Sequence, residues 1–323
     1  MPSTTTTLRR CTDETVPTFL EFIAQQNSLP SQHCLILDQN VEGILNDLLM
    51  LDAEPTERFW GLWEGDSLVA AVGLDIELAN NHVFILGPWA KDEQQLQPVL
   101  EAVMEFIPDE INELSTYHNV NAAAAHKTAV ACGFTDPSYA TYLVIKSSSG
   151  RGAVAARSPP KGFAVRLQDP SDTAVTPTLL ALHRQLFPKT HFSDEKWPKL
   201  DGTLGWLFAV MNDAEPTPVP VGYAIIQREG TSNKVYIQYL GVAPSEQGKG
   251  RGTALLYAIK DWFYEQGFEQ LSLSVNGDNP KARKVYLRVG FEIETDGCGY
   301  KFFRRAAATQ AAHDENGVGS AGI

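Results

Sequence analysis

Gln247-Gly248-Lys249-Gly250-Arg251-Gly252 sets three glycines and two cations between a strand-like run, Val235 to Val242, and a helix-like run, Thr253 to Gln266. Glycine lets a backbone bend freely and come close to a ligand, and the first amides of a helix, at its positive dipole end, attract an anion. This is the chemistry of a phosphate cradle, with a glycine-rich surface turn as the plain alternative. A Walker loop would need a leading glycine where Ala243 stands and a hydroxyl where Gly250 stands. The dinucleotide fingerprint Gly-x-Gly-x-x-Gly misses by one residue, because the glycines fall at 248, 250 and 252. What fits is Gln-x-x-Gly-x-Gly.

Farther on, Leu271 to Val275 reads as a buried strand, and Asn279-Pro280-Lys281-Ala282-Arg283-Lys284-Val285-Tyr286 starts a helix ending near Gly290. Asn279 is a good N-cap and Pro280 suits the first helical position. The spacing i, i+3, i+7 puts Asn279, Ala282 and Tyr286 on one face: an amide, a gap and a phenol. A partly buried tyrosine with a satisfied hydroxyl is the commoner fate of such a phenol.

The loop and this helix together resemble the GCN5-related N-acetyltransferase (GNAT) superfamily, with both motifs in family order and a strand between them. The resemblance implies acetyl-CoA as co-substrate, with no metal, and direct attack of an amine on the bound thioester. It gives cofactor contacts to Leu240, Val242, Gln247, Gly248, Lys249, Gly250, Arg251, Gly252, Asn279, Ala282 and Tyr286. In that reading the amides near Leu240 and Val242 polarise the acetyl carbonyl. Lys249 and Arg251 neutralise CoA phosphates, Asn279 meets the pantetheine arm beside the small Ala282, and Tyr286 is the catalytic acid that protonates the departing thiolate. The pattern departs from the family at the general base, since Gln238 stands where many members carry a glutamate. Glu229, His183, His191 and a water relay stay open as substitutes. A binding protein that senses acyl-CoA with little turnover is the rival from another class.

These elements must be positioned by a larger frame. A chain of 323 residues, 43% hydrophobic, suggests two domains. Residues 148–162, rich in Ser, Gly and Pro, read as a linker between a domain over 1–147 and one over 163–305, with 306–323 as a disordered tail. Strand and helix signals follow the same order in both halves, which predicts an α/β fold of two tandem GNAT domains, each with a mixed sheet. Phe84-Ile85-Leu86-Gly87 parallels Gln238-Tyr239-Leu240-Gly241, and Cys132-Gly133-Phe134 parallels Val289-Gly290-Phe291. An internal duplication follows. In the first copy Pro88-Trp89-Ala90-Lys91-Asp92-Glu93-Gln94 replaces the glycine loop, and Ala122 and Ala129 stand for Asn279 and Tyr286. The first copy is therefore read as degenerate and the second as the catalytic one.

Charge separates the halves: residues 1–150 carry 6 basic against 21 acidic side chains, and residues 151–323 carry 20 against 18. Such acidity argues against a nucleic-acid partner; it fits a solvated surface or, more sharply, preference for a cationic amine acceptor. No apolar run reaches the roughly 20 residues of a membrane span, and the start lacks a signal-peptide pattern, so a cytoplasmic protein is expected. Cys11, Cys34, Cys132 and Cys298 form no Cys-x-x-Cys pair and read as reduced thiols, Cys298 in a turn. Oligomeric state and acceptor identity are not encoded in any motif.

Overall fold

A computed structural model describes residues 6–51, 54–150, 159–188, 192–214, 217–229 and 232–304. The expected tail and part of the expected linker lie outside them. Two compact units result, one built from residues up to Tyr139 together with the stretch from Asp296, the other from Ala140–Thr295.

The first unit runs β1 (Thr7–Arg10), α1 (Val16–Asn27), α2 (Val41–Met50), α3 (Pro55–Arg58), β2 (Phe59–Glu64), β3 (Ser67–Glu77), β4 (His82–Ala90), α4 (Leu96–Met104), β5 (Glu113–Asn119) and α5 (Ala123–Ala131). β1 to β4 pair antiparallel in sequence order, β5 joins β4 in parallel, and the far side of β5 is taken by β12 (Glu292–Phe303). α1 buries Phe19, Leu20, Phe22, Ile23, Gln26 and Asn27, the i, i+3, i+4, i+7 stripe of a helix laid on a sheet.

The second unit repeats the order with β7 (Phe163–Leu167), α6 (Thr176–Leu186), β8 (Gly205–Asn212), β9 (Val219–Arg228), β10 (Lys234–Val242), α7 (Arg251–Gln266), β11 (Gln270–Asn276) and α8 (Pro280–Val289). β7 to β10 are antiparallel, β11 lies parallel to β10, and β6 (Thr135–Lys146) closes the far side of β11. Leu271, Leu273 and Val275 of β11 join Leu255, Ile259 and Phe263 of α7 in one core. Asn279 caps α8 by accepting from Ala282 N (3.1 Å), and buried Lys260 of α7 donates to the Val289 carbonyl (2.9 Å) at the other end.

Each unit therefore closes on a strand drawn from the other half of the sequence. Ala140–Lys146, expected within 1–147, pairs with Asn276–Gln270 in the second unit. Gly297–Phe303, expected within 163–305, pairs with Asn119–Glu113 in the first. Alternation specifies which face of a strand is buried, not which free edge accepts it, so the sequence pattern was compatible with either pairing. Cys298, expected in a turn, is buried in β12 opposite His118.

Candidate active site

β10 and β11 are hydrogen-bonded partners only from Lys234–Tyr236 against Gln270–Ser272. Past that point no pairing between them is found among the described residues, and a bulge at Gln238 shifts the register of β10 on β9. Bulges bend a strand, and here the bend opens a gap. The Ala243 N–H donates to Val221 O (2.8 Å). Backbone groups alternate sides along a strand, so the N–H groups of Leu240 and Val242 face away from β9 and into the gap.

At its mouth the glycine loop turns into α7. Gly248 (φ 72°) and Gly250 (φ 82°) are left-handed, and an added Cβ at either would meet nothing within 4 Å. These glycines serve conformation and access, since only glycine takes this geometry without cost and leaves the backbone bare. Gln247 is engaged structurally: its Nε2 donates to Val242 O (3.0 Å), pinning the loop to the end of β10.

The two cations of the loop diverge. Lys249 is half exposed and pairs with Glu246 (3.0 Å). Arg251 is buried, with its guanidinium 3.4 Å from the Phe163 ring centroid, donating to Glu246 (3.1 Å) and to Lys249 O (3.2 Å). Hydrogen bonding from Lys249 and then Arg251 holds the Glu246 carboxyl below its ordinary range. The resemblance gives both cations to CoA phosphates; in the structure Lys249 is the exposed one, and Arg251 has protein partners. The sequence gives no signal for Glu246, because a carboxylate three residues before a lysine looks like any surface ion pair.

Across the gap, α8 presents Ala282 and Tyr286, both about 1% exposed. Burial pushes the Tyr286 phenol above its ordinary range, with Tyr236 adding to the effect. The side-chain oxygen of Asn279 is used in capping the helix. Among the base candidates, His183 sits in a cage of Phe187, Phe192, Trp197, Tyr223 and Tyr239, its Nδ1 2.6 Å from the Tyr223 hydroxyl. Burial drives its pKa down to about 4. Enclosed in this way, His183 belongs to the core. Glu229, just past β9, accepts from Tyr142 Oη (3.1 Å) and Ser272 Oγ (2.8 Å). His191 lies outside the described residues.

The corresponding place in the first unit is filled by the chain itself. Lys91 N–H donates to Val69 O (2.9 Å), so the backbone groups of Ala90, like those of Val242, face away from the neighbouring strand. Gln32 takes both, accepting from Ala90 N (2.6 Å) and donating to Ala90 O (2.9 Å). On the other side Leu35 N donates to Tyr117 O (3.1 Å) and Asn119 N to His33 O (2.9 Å), both on β5. Asn27 anchors this insert by donating to Cys34, Leu37 and Asp38 carbonyls and accepting from the Trp89 indole. Segment 32–35 thus lies between β4 and β5 like a short extra strand. Nothing in the sequence signals this, because a polar Gln between turn residues reads as an ordinary loop.

A mixed sheet whose two central parallel strands part beside a glycine loop, present in tandem, defines the class: this is the GNAT fold, twice in one chain. A solved GCN5-related N-acetyltransferase from Sphaerobacter thermophilus superposes with a TM-score of 0.69 at 15% identity, over 96% of this chain and 99% of its own. A tandem GNAT protein from the clavulanic acid biosynthesis pathway gives 0.64 at 13% identity, over 94% and 100%. Residues 175–291 match the model of the acetyltransferase (GNAT) family. A curated relative, mycothiol acetyltransferase of Saccharomonospora viridis, is 45% identical over 64 residues, which is 20% of this chain and 20% of the relative. The match thus spans about a fifth of that relative's length.

Proposed function

We propose that the second unit transfers an acetyl group from acetyl-CoA to an amine by direct attack in a ternary complex. The observation that carries this reading is the pair of Leu240 and Val242 N–H groups directed into the gap, between the open Gly248–Gly250 backbone and the buried phenol of Tyr286. Two amides aimed at a carbonyl oxygen stabilise the charge that develops there when an amine adds. A phenol kept protonated by burial can supply the proton that the departing thiolate needs. Lys249, exposed at the loop, is the cation available for phosphate. The first unit carries no co-substrate in this reading, because Gln32 and residues 33–35 fill its gap. The match of residues 175–291 to the GNAT family and the local similarity to a mycothiol acetyltransferase support the acetyl-transfer class.

The test is release of free CoA thiol from acetyl-CoA over a panel of monoamines, diamines, amino sugars, amino acids and peptide N-termini. Acceptor-dependent release is expected. Tight acetyl-CoA binding with no release on any acceptor would overturn the reading in favour of a sensor.

A further inference from the structure

In the second unit one face of β11 is apolar and packs against α7 and α8, whereas Ser272 and Ser274 point to the other face. On that other face Glu229 receives two hydroxyl donors on a single oxygen, Oε1: Tyr142 Oη at 3.1 Å and Ser272 Oγ at 2.8 Å. No lysine or arginine pairs with it among the described residues. Tyr142 belongs to β6, the strand that the first half of the sequence contributes, and its ring stacks on that of Tyr236 with centroids 6.3 Å apart and planes 12° apart. Burial, and then the Glu229 charge, pushes the Tyr142 phenol upward, so it remains a donor. A carboxylate whose second oxygen has no partner among the described residues, beside two aromatic rings, is the composition of an ammonium site, through charge-assisted hydrogen bonds and cation–π attraction.

Its place in the fold gives it a partner. Tyr236 and Ser272 are the last paired residues before β10 and β11 part, so Glu229 stands where the gap begins. The Leu240 amide lies four residues farther along β10, about 10–13 Å at roughly 3.3 Å per residue with one residue taken up by the bulge. We propose that Glu229, flanked by Tyr142, Ser272 and Tyr236, binds a second ammonium group of the acceptor, which makes the acceptor a diamine or polyamine acetylated at the amine remote from Glu229. The inference rests on the acetyl-transfer reading of this unit. At that distance from the Leu240 amide Glu229 is out of reach of the reacting nitrogen, which removes it from the base candidates, and it takes no part in bond making: the remote nitrogen, neutral on arrival, forms the C–N bond as C–S breaks, Tyr286 gives its proton to sulfur, and a nitrogen proton restores the phenol. Ser272 and Tyr142 act as positioning residues, holding the carboxylate rather than touching the reacting atoms.

The test compares α,ω-diamines of graded length with monoamines of matched length, using the full chain, its Glu229→Gln variant and its Tyr142→Phe variant. KM for a diamine of matching span should rise about tenfold or more in Glu229→Gln, the loss of one charge-assisted contact. Monoamine KM, acetyl-CoA KM and kcat should stay within about twofold, and Tyr142→Phe should show a smaller shift of the same kind. Equal effects on diamines and monoamines, or none, would overturn the proposal. Should no amine be acetylated, the acetyl-transfer reading fails, and calorimetric titration of the same diamines into protein saturated with CoA decides the subsite separately. Binding that Glu229→Gln removes upholds it, and absence of diamine binding to the unsubstituted protein overturns it.

Discussion

Gln32 holds both backbone groups of Ala90, its carboxamide accepting at 2.6 Å and donating at 2.9 Å, so a side chain completes the edge that Ala90 would otherwise offer to a ligand. Acetyl-CoA should therefore bind with a stoichiometry of one per chain by calorimetry. Gln32→Ala leaves a buried N–H and C=O unpaired and should cost the first unit about 1–3 kcal/mol of stability. Acetyl-CoA affinity should be unchanged in that variant. A stoichiometry of two in the unsubstituted protein would contradict the assignment of a single competent gap.

Gly248 and Gly250 have left-handed backbones with open space around them. Alanine at either position meets no clash, so its cost is conformational, about 1–2 kcal/mol, and falls on the loop rather than on the core. The acetyl-CoA KM should rise about tenfold in Gly250→Ala, which sits at the start of α7, with the melting temperature lowered only slightly. Steady-state kinetics at saturating acceptor checks this, and an unchanged KM would mean that the loop does not contact the cofactor.

Lys249 and Arg251 look equivalent in the sequence, and the structure separates them. Lys249→Glu should raise the acetyl-CoA KM and leave stability nearly unaltered, because an exposed ion pair contributes about 0–1 kcal/mol. Arg251→Ala should lower stability instead, by about 1–3 kcal/mol, since it removes a buried guanidinium from Phe163 and leaves Glu246 with one partner fewer. Parallel melting curves and kinetics distinguish the two. Equal effects on both measurements would refute the separation.

The loop and the helix carrying Asn279 and Tyr286 were legible as structure because their geometry is local: positive φ at glycine, an N-cap and helical spacing are properties of neighbouring residues. Element order in both halves was legible for the same reason, through periodicity. The exchange of Ala140–Lys146 and Gly297–Phe303 was not, because strand partners are chosen by edges brought together from more than 100 residues away. Gln32 on Ala90 and Tyr142 on Glu229 are likewise long-range pairs of ordinary polar residues, 58 and 87 positions apart. The surroundings of Arg251 were hidden for another reason: type and spacing mark a cation in a phosphate loop, while only the fold shows its guanidinium packed against Phe163.

His118 in the first unit is fully buried, neither ring nitrogen has a hydrogen-bond partner among the described residues, and burial drives its pKa down to about 3. In the unfolded chain the same group titrates near 6.5. Below that pH the unfolded state takes up a proton that the folded state refuses, so stability rises with pH between about 3 and 6.5 and levels off above. His183 does the same in the second unit from about 4 upward. Each contributes about 1.4 kcal/mol per pH unit inside its window. Denaturant midpoints measured from pH 7.5 down to 4.5 should fall, and His118→Phe should flatten the part belonging to the first unit. Midpoints independent of pH over this range would rule out the buried neutral imidazoles.

Tyr286 carries the chemical step in the proposed reaction, and its burial makes a second, sharper prediction possible. With its pKa raised above the ordinary 10 for a phenol, the group stays protonated throughout the neutral and alkaline range. General acid catalysis is worth about 10²–10⁴ in rate, so Tyr286→Phe should lower kcat about a hundredfold or more while acetyl-CoA affinity, measured by calorimetry, stays within about twofold. In the unsubstituted enzyme kcat should show no alkaline fall with a midpoint below 10, because the acid is still loaded there. Full turnover in Tyr286→Phe, or a falling limb near pH 8 that this substitution abolishes, would remove the phenol from its role.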